Sequence, residues 1–459
     1  MNTLILISVL PIVLLYLGLY KAQKALLPVT VIGLLVALGL ALIQWDKDAE
    51  PIYHSMVYFD HYSIAFSAIT IISTILILLL SKGYFEKISN HIAEYYAIIL
   101  FSLAGIIVMV SYYNLVMLFI GIEIMSVSLY ILAGIKKNDF ASNEAALKYF
   151  LMGAFSTGFL LFGIALIYGS SGSFSLEAIR AYVIANPTSI DPMFYVGIML
   201  IIVGLCFKVG AAPFHFWTPD VYEGSPTLIT AFMSTVVKTA GFAAFLRLFS
   251  ECFGPLSAFW MPALLVITIL TLFIGNITAL YQHSFKRMLA FSSISHAGYL
   301  LFAIVALGYN SANSVFVYAT AYSIASIIAF GALILVQQQY GSDNFESFNG
   351  LSKKNPFLAL VVTISMLSLA GIPLTAGFIG KFFMFSSALT HYQLWLVILA
   401  VINAIISIFY YFRVIIAMYF RTAERNEVIV PAYYKFVLGF SALATIIIGI
   451  YPALIASLI

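Results

Sequence analysis

Four ionisable side chains lie inside long apolar segments of the sequence: Glu123, Lys208, Lys238 and Lys381. A charge at bilayer depth costs about 2.5–3.5 kcal/mol even on lenient insertion scales. Burial and a nearby carboxylate act in opposite directions on the proton affinity of a lysine, so lysines near a glutamate can exchange protons. The four residues are therefore candidates for a proton relay. In the structural alternative, Glu123 forms a buried ion pair with one lysine and the other lysines extend to the membrane surface.

Three further residues are candidates for the same chemistry: Lys148, His215 and His296. Lys148 stands near the start of an apolar segment, where it serves either proton uptake or an interfacial contact. Each histidine is either a relay member or a hydrogen-bonded histidine. A haem with two histidine ligands is a rival reading, but these segments carry no other haem signal. Asp220 and Glu223 are predicted to cap the following helix, or alternatively to face an aqueous mouth.

The composition is that of a membrane protein. Of 459 residues, 63% are hydrophobic and 8% are charged, against about 25% charged in soluble domains. The net charge of +3 is too small to indicate nucleic acid binding. Cys206 and Cys252 lack the spacing of zinc, iron–sulfur or disulfide sites, and neither nucleotide-loop nor metalloprotease motifs occur. We therefore expect an all-α polytopic membrane protein without a metal site.

Apolar runs of about 20 residues predict helices that cross the bilayer. Residues 1–20 lack a cleavage signal and are predicted to remain as the first span. Fourteen spans are predicted, at 3–20, 26–44, 63–81, 93–111, 114–134, 145–169, 193–213, 225–249, 261–281, 287–308, 314–337, 356–389, 393–418 and 432–455.

Lysine and arginine are unevenly distributed between alternate loops. Thirteen fall in or beside the odd-numbered loops, Arg425 among them, whereas the even-numbered loops hold Lys47 and Arg180. Because basic loops stay in the cytoplasm, both termini are predicted to lie outside the cytoplasm.

Two predicted spans are interrupted by proline. Gly-Ala-Ala-Pro at 210–213 interrupts the seventh span, and Ala-Gly-Ile-Pro at 370–373 interrupts the twelfth. Irregular backbone at membrane depth survives where it is buried in protein or lines a wet cavity, and paired interruptions indicate inverted repeats; a simple proline kink is the alternative. The predicted units are three N-terminal helices (1–90), a first five-helix repeat (91–250), a second, inverted repeat (251–420) and a last helix (421–459).

Four stretches carry a resemblance to a known family: 207–227, 231–238, 286–299 and 369–382. They resemble the proton-translocating subunits shared by respiratory complex I and Mrp-type antiporters, and are most similar to the subunit N branch of bacterial NADH:quinone oxidoreductase. Subunit M has a glutamate where this chain has Lys381, and subunit L carries a lateral helix beyond the core.

The resemblance implies a role for each buried charge. Glu123 matches the family's glutamate on the fifth helix and Lys208 the lysine on the broken seventh helix. Lys238 matches the connecting lysine on the eighth helix and Lys381 the exit-side lysine on the broken twelfth.

The same resemblance implies a membrane-arm subunit of an NADH:quinone oxidoreductase that moves protons while quinone is reduced elsewhere in the complex. FMN, iron–sulfur clusters, NADH and quinone are expected on other subunits, and subunits M, K and J and the lipid bilayer are expected partners. Two rivals remain, namely a cation/proton antiporter of the Mrp type and a scaffold whose buried charges only hold helices together.

Overall fold

The computed structural model describes residues 1–45, 50–187, 189–308, 310–390, 394–422 and 427–459, without the side chains of Ser387 and Thr390. Lys47 and Arg425, which contributed to the predicted orientation, lie outside the described residues. The helices are α1 (Asn2–Leu19), α2 (Gln23–Leu42), α3 (His61–Leu79), α4 (Ile92–Ser111), α5 (Leu115–Ala133), α6 (Phe140–Ser171), α7 (Leu176–Ala185), α8 (Pro192–Val209), α9 (Trp217–Gly224), α10 (Thr227–Phe232), α11 (Lys238–Leu248), α12 (Ser257–Leu280), α13 (Phe285–Val305), α14 (Ser311–Tyr340), α15 (Leu351–Lys354), α16 (Pro356–Ala370), α17 (Ala376–Thr390), α18 (Leu394–Phe420), α19 (Ala432–Ile450) and α20 (Ala453–Ala456).

The predicted all-α membrane fold is confirmed. Twelve helical stretches among the described residues are long and apolar enough to cross a bilayer. One of them, Thr227–Leu280, extends over 54 residues and contains the eighth and ninth predicted spans, which meet at a π-helical turn over Phe249–Phe253. The twelfth span consists of the two shorter helices α16 and α17. Each of the fourteen predicted spans thus has a helical counterpart.

Short polar side chains define where the site-bearing helices begin. Asn114 accepts a hydrogen bond from the backbone of Val116 at the start of α5 (2.9 Å). Asp139 does the same for Ala141 in α6 (3.0 Å), and an equivalent aspartate precedes α8. Such caps satisfy backbone donors that a helix leaves unpaired at its first turn, and they fix the register of the helices that follow.

The centre of the bundle is formed by α13 and α14. The apolar windows of both helices are 100% buried, whereas those of α1 and α2 are 28% buried. Lipid or partner subunits therefore face α1 and α2, while α13 and α14 contact protein on all sides. Polar residues on these two helices are enclosed by protein and need partners there.

Both interrupted spans end their first helix in the same way. α8 ends at Gly210 (φ 73°) and α16 at Gly371 (φ 84°), both in the left-handed conformation that glycine adopts without a steric penalty. Non-helical backbone then leads to α9 and α17. The spans are broken helices and not proline kinks. The proposed domain boundaries stay a prediction.

One surface helix was not predicted from the sequence. Leu176, Ile179 and Val183 form the buried face of α7, which packs against the π-helical turn that joins α11 to α12. With ten residues it is too short to resemble a span, and its apolar residues occupy only one face.

Candidate functional site

Lys208 lies in the last turn of α8, directly before the break, and is 9% exposed. Its ammonium group donates hydrogen bonds to the hydroxyls of Ser126 on α5 (3.0 Å) and Thr157 on α6 (3.3 Å). Hydrogen bonds to a charged group contribute about 1.5–3 kcal/mol each. Two hydroxyls from two other helices thus replace part of the water that the lysine loses.

Glu123 stands one turn before Ser126 on α5, and its Oε1 is buried with no hydrogen-bond partner among the described residues. None of the salt bridges between described residues includes Glu123 or Lys208. The sequence left open whether these two residues meet. The structure brings Lys208 to Ser126, one helical turn from Glu123 on α5, and no salt bridge between described residues joins the lysine to the glutamate.

Tyr130 extends this polar face of α5 by one more turn. Glu123, Ser126 and Tyr130 follow each other at i, i+3 and i+7, which places them on one side of a helix. The Tyr130 hydroxyl is buried and has no partner among the described residues, and a Cβ at Gly153 of α6 would lie 2.1 Å from it. Glycine at 153 therefore gives the hydroxyl its space between α5 and α6.

Lys238 begins α11 directly after a π-helical turn over Met233–Val237, a feature that is frequent at functional sites. Its ammonium group donates hydrogen bonds to both the carbonyl and the hydroxyl of Ser293 on α13 and lies 6.0 Å from the ring centroid of Tyr322. No hydrogen bond or ion pair between described residues joins Lys238 to Lys208.

His296 lies on α13, and both of its ring nitrogens have a hydroxyl partner. Nδ1 is 2.7 Å from the Tyr318 hydroxyl and Nε2 is 3.0 Å from the Tyr411 hydroxyl. Tyr411 also shares a hydrogen bond with Ser292, which precedes the Lys238 partner Ser293 in the chain. A neutral imidazole accepts at one nitrogen and donates at the other. The ring can therefore accept a proton from one tyrosine hydroxyl while its other nitrogen donates a proton to the second hydroxyl.

Lys381 lies on α17, beyond the second break, and its ammonium group binds backbone. It donates to the carbonyls of Leu369 (3.2 Å) and Ala370 (2.8 Å) at the end of α16 and lies 4.9 Å from the ring centroid of Tyr299. The carbonyl end of a helix carries partial negative charge. The broken helix itself therefore supplies the acceptors for this cation.

The remaining candidates occupy two other places. His215 lies in the irregular segment between α8 and α9, where its Nδ1 is buried without a partner among the described residues. Lys148 on α6 forms ion pairs with Glu144 and with Asp220 of α9, each at 2.8 Å. No described contact links either residue to the lysines inside the bundle.

Asp220 and Glu223 are ion-pair partners and not helix caps, so that prediction was wrong. Both lie within α9, where Asp220 binds Lys148 and Arg287 (3.2 Å) and Glu223 binds Arg287. Burial opposes ionisation of Asp220, but the two cations outweigh it and hold the pKa of this carboxyl below its ordinary value. The four side chains join α6, α9 and α13.

Lys286 is a functional candidate that the sequence analysis did not name, and it directly precedes the predicted span at 287–308. It is 4% exposed, and its ammonium group donates to the carbonyls of Glu223 (2.8 Å) and Ser225 (2.5 Å). Ser126 and Thr157 were also missed, because a hydroxyl in an apolar helix usually binds its own backbone. The spacing of Glu123, Ser126 and Tyr130 was the available signal.

The described residues contain no group of three or more His, Cys, Asp or Glu side chains that could hold a metal ion. Cys206 and Cys252 are buried and free.

Comparison with known proteins identifies the fold and the family. The family model described as NADH:quinone oxidoreductase/Mrp antiporter, TM matches residues 112–407. A protein of Cytophaga hutchinsonii named NADH-quinone oxidoreductase subunit N is 41% identical, over 98% of both chains. The protein of the same name from Flavobacterium psychrophilum is 40% identical over 100% of both.

A chain from the structure titled respiratory complex I from Thermus thermophilus with bound aureothin superposes with a TM-score of 0.85. It is 31% identical, and the match covers 99% of this chain and 98% of that one. These matches extend over both broken helices and all candidate residues. The chain belongs to the family of NADH:quinone oxidoreductase and Mrp antiporter membrane subunits, as the resemblance in its sequence indicated.

Proposed function

We propose that this chain moves protons across the membrane as a membrane-arm subunit of an NADH:quinone oxidoreductase, while quinone is reduced elsewhere in the complex. The observation that carries the proposal is the environment of Lys208 and Glu123. The lysine is held by two neutral hydroxyls, and a carboxylate oxygen of the glutamate lacks a partner among the described residues. Because no ion pair within the described part of the chain fixes the charge of either residue, a small change in local field can move a proton between them.

Buried charges elsewhere in the chain show what a structural pair looks like. Arg247 is 4% exposed and binds Asp60 at 2.5 Å; it also donates to the carbonyl of Tyr112 and lies over the ring of Tyr62. Breaking such a pair destabilises a protein by about 3–5 kcal/mol. Lys208, Lys238 and Lys381 have no acidic partner among the described residues, which speaks against the scaffold alternative.

We infer a route through the buried charged residues. Protons are taken up from the cytoplasm, with Lys148 on the uptake side. They pass Lys208, which exchanges protons with Glu123, and then Lys238. Ser292, Tyr411 and His296 lead onward from the Lys238 end, and Lys381 releases the proton on the periplasmic side. Water bridges the intervals that side chains do not span, as ordered water does in many polar interiors.

The names of the relatives support the setting that we propose for the chain. We infer that FMN, iron–sulfur clusters, NADH and quinone belong to other subunits, and that membrane subunits such as M, K and J are its neighbours. The excess of lysine and arginine in alternate loops supports an orientation with both termini in the periplasm of a bacterial inner membrane.

The test is proton pumping by the assembled complex reconstituted in liposomes, measured per quinone reduced. Lys208→Ala, Glu123→Ala and Lys381→Ala are each expected to lower this ratio by about tenfold or more while the complex still assembles. Lys353→Ala, at an exposed lysine near α16, is the matched control and is expected to pump normally. Normal pumping by all three buried variants would refute the proposal.

Reconstitution of the purified chain alone, and assembly of the variants, distinguish the two rivals. Sodium uptake by the purified chain, lost in Lys208→Ala, would favour an antiporter. A scaffold would be favoured if the three buried variants fail to assemble and if any variant complex that does assemble shows no specific loss of pumping.

A further inference from the structure

Two adjoining cavities open on the face that carries the basic loops. Their volumes are about 510 Å³ and 390 Å³, and both are lined by Lys87, Ile88, Lys136 and Asp139. We call the two cavities together the lysine pocket. Its other basic residues are His91, Lys137 and Lys286.

The acidic groups of the lysine pocket are already engaged. Asp139 caps α6 through Oδ1 and lies 3.9 Å from Lys136 through Oδ2. Glu223 binds Arg287. Nδ1 of His91 lies 3.1 Å from the carboxylate of Glu94, which is outside the pocket. The acidic side chains that line the pocket therefore do not neutralise its remaining lysines.

Two cations of the pocket have no acidic partner among the described residues. Lys87 and Lys137 are exposed, and neither takes part in a described salt bridge. Ser89 and Asn138, which stand beside them in the chain, also line the cavity and offer hydrogen-bond donors. Lys286 also lines the second cavity, and its ammonium group is bound to carbonyls.

We propose that the lysine pocket binds the phosphate group of an anionic phospholipid. Lysine ammonium groups bind phosphate as point charges, and basic pockets between membrane helices on the cytoplasmic side take anionic head groups. The pocket adjoins an apolar surface that can face the bilayer. Phe140, the neighbour of Asp139 in the chain, is 81% exposed, and Leu147 on the same helix is 59% exposed. Acyl chains can lie on this apolar side of α6 while the head group reaches the pocket.

The proposal is tested on the purified full-length chain in detergent, by native mass spectrometry after exchange from two kinds of vesicle. One kind contains phosphatidylcholine alone, and the other contains phosphatidylglycerol as well. The test variant is Lys87→Gln/Lys137→Gln. The control is Lys353→Gln/Lys435→Gln, which removes the same charge from two exposed lysines outside the pocket.

The wild type and the control are expected to retain phosphatidylglycerol in preference to phosphatidylcholine. Each lysine near an anionic lipid is worth roughly a fivefold change in affinity, so the test variant is expected to bind phosphatidylglycerol about 25-fold more weakly. Thermal denaturation of both variants alongside the wild type separates loss of binding from loss of folding.

Titration with inorganic phosphate identifies the source of the phosphate. Displacement of the retained lipid by phosphate in the wild type would support a site that recognises the phosphate group itself. Phosphate binding that depends on Lys87 and Lys137, without retention of lipid, would overturn the proposal of a lipid ligand and would assign the pocket to soluble phosphate. Equal lipid retention by wild type, test variant and control would overturn the site altogether. None of these results depends on whether the chain pumps protons.

Discussion

The two broken helices end alike but hold their lysines by different means. α8 and α16 both finish at a left-handed glycine. Lys208 comes before its break and binds the side chains of Ser126 and Thr157 on two other helices. Lys381 comes after its break and binds main-chain carbonyls of the same interrupted span.

The difference decides which lysine can sense a movement of its neighbours. A shift of α5 or α6 changes the distances from Lys208 to its hydroxyls, whereas the carbonyls around Lys381 move with the broken span to which it belongs. We therefore expect a rearrangement of neighbouring helices to alter the proton affinity of Lys208 more than that of Lys381. Each prediction below tests part of this contrast.

The largest expected effect concerns Gly371→Ala. A left-handed backbone costs a residue with a Cβ about 1–2 kcal/mol, and at Gly371 this atom would lie 2.7 Å from Cδ of Lys381. The lysine must leave its carbonyls, so proton pumping per quinone reduced is expected to fall by about tenfold or more.

Gly210→Ala is the matched control for that variant. It carries the same backbone strain, but its Cβ would meet Oγ1 of Thr218 (2.8 Å) and not Lys208. Thermal denaturation should show similar destabilisation of both variants, while pumping falls less in Gly210→Ala. Equal loss of pumping would mean that strain alone, and not the position of Lys381, explains the first result.

The second prediction concerns the hydroxyls that hold Lys208. Ser126→Ala and Thr157→Val each remove a hydrogen bond worth about 1.5–3 kcal/mol, with the larger effect at Ser126 because its bond is shorter. Both variants are expected to lower pumping several-fold in reconstituted complex. Ser156→Ala, next to Thr157, removes a buried hydroxyl that has no partner among the described residues and should pump normally. A loss in Ser156→Ala equal to that in Thr157→Val would contradict the role of the hydrogen bond.

Helices and buried charges could be predicted from the sequence because both depend on local properties. Apolar runs gave all fourteen spans, and the cost of burying a charge singled out Glu123, Lys208, Lys238 and Lys381. Proline and glycine marked both breaks. These signals need no knowledge of which helices are neighbours.

The partners of those charges could not be predicted, because they come from helices distant in the chain. Ser126 and Thr157 meet Lys208 across 82 and 51 residues, and nothing in an apolar helix distinguishes a serine that binds a lysine from one that binds its own backbone. The assignment of Asp220 as a cap failed for the same reason, since its partners lie on α6 and α13.

The third prediction tests the histidine in the second half of the chain. Tyr411→Phe removes a hydroxyl that contacts both His296 and Ser292, whereas Tyr318→Phe removes a contact to His296 alone. Leaving a buried polar group unpaired costs about 1–3 kcal/mol, so both variants should be less stable. Pumping is expected to fall several-fold in Tyr411→Phe and less in Tyr318→Phe.

Tyr410→Phe is the control for that pair. Its hydroxyl is also buried and donates to Asn276 (2.9 Å), so the variant loses stability by a similar amount but leaves His296 untouched. Pumping in Tyr410→Phe as low as in Tyr411→Phe would show that packing around α18, and not the hydroxyl at His296, limits the rate.

The smallest effect is expected at the ion pairs that join α6, α9 and α13. Asp220→Asn weakens contacts to Lys148 and Arg287, and ion pairs of this exposure are worth about 0.2–1 kcal/mol each. Because the pKa of Asp220 is lowered, its contribution is complete above its ordinary pKa of 3.8 and is lost only as the pH falls further. The difference in thermal stability between wild type and variant should therefore be constant from about pH 5 to 8 and shrink as salt screens the charges.

Glu144→Gln, which affects Lys148 alone, is the control and should show a smaller stability difference with the same salt dependence. A stability difference that grows with salt would contradict the ion-pair explanation. A pumping defect as large as that of Ser126→Ala would place Asp220 in the proton route.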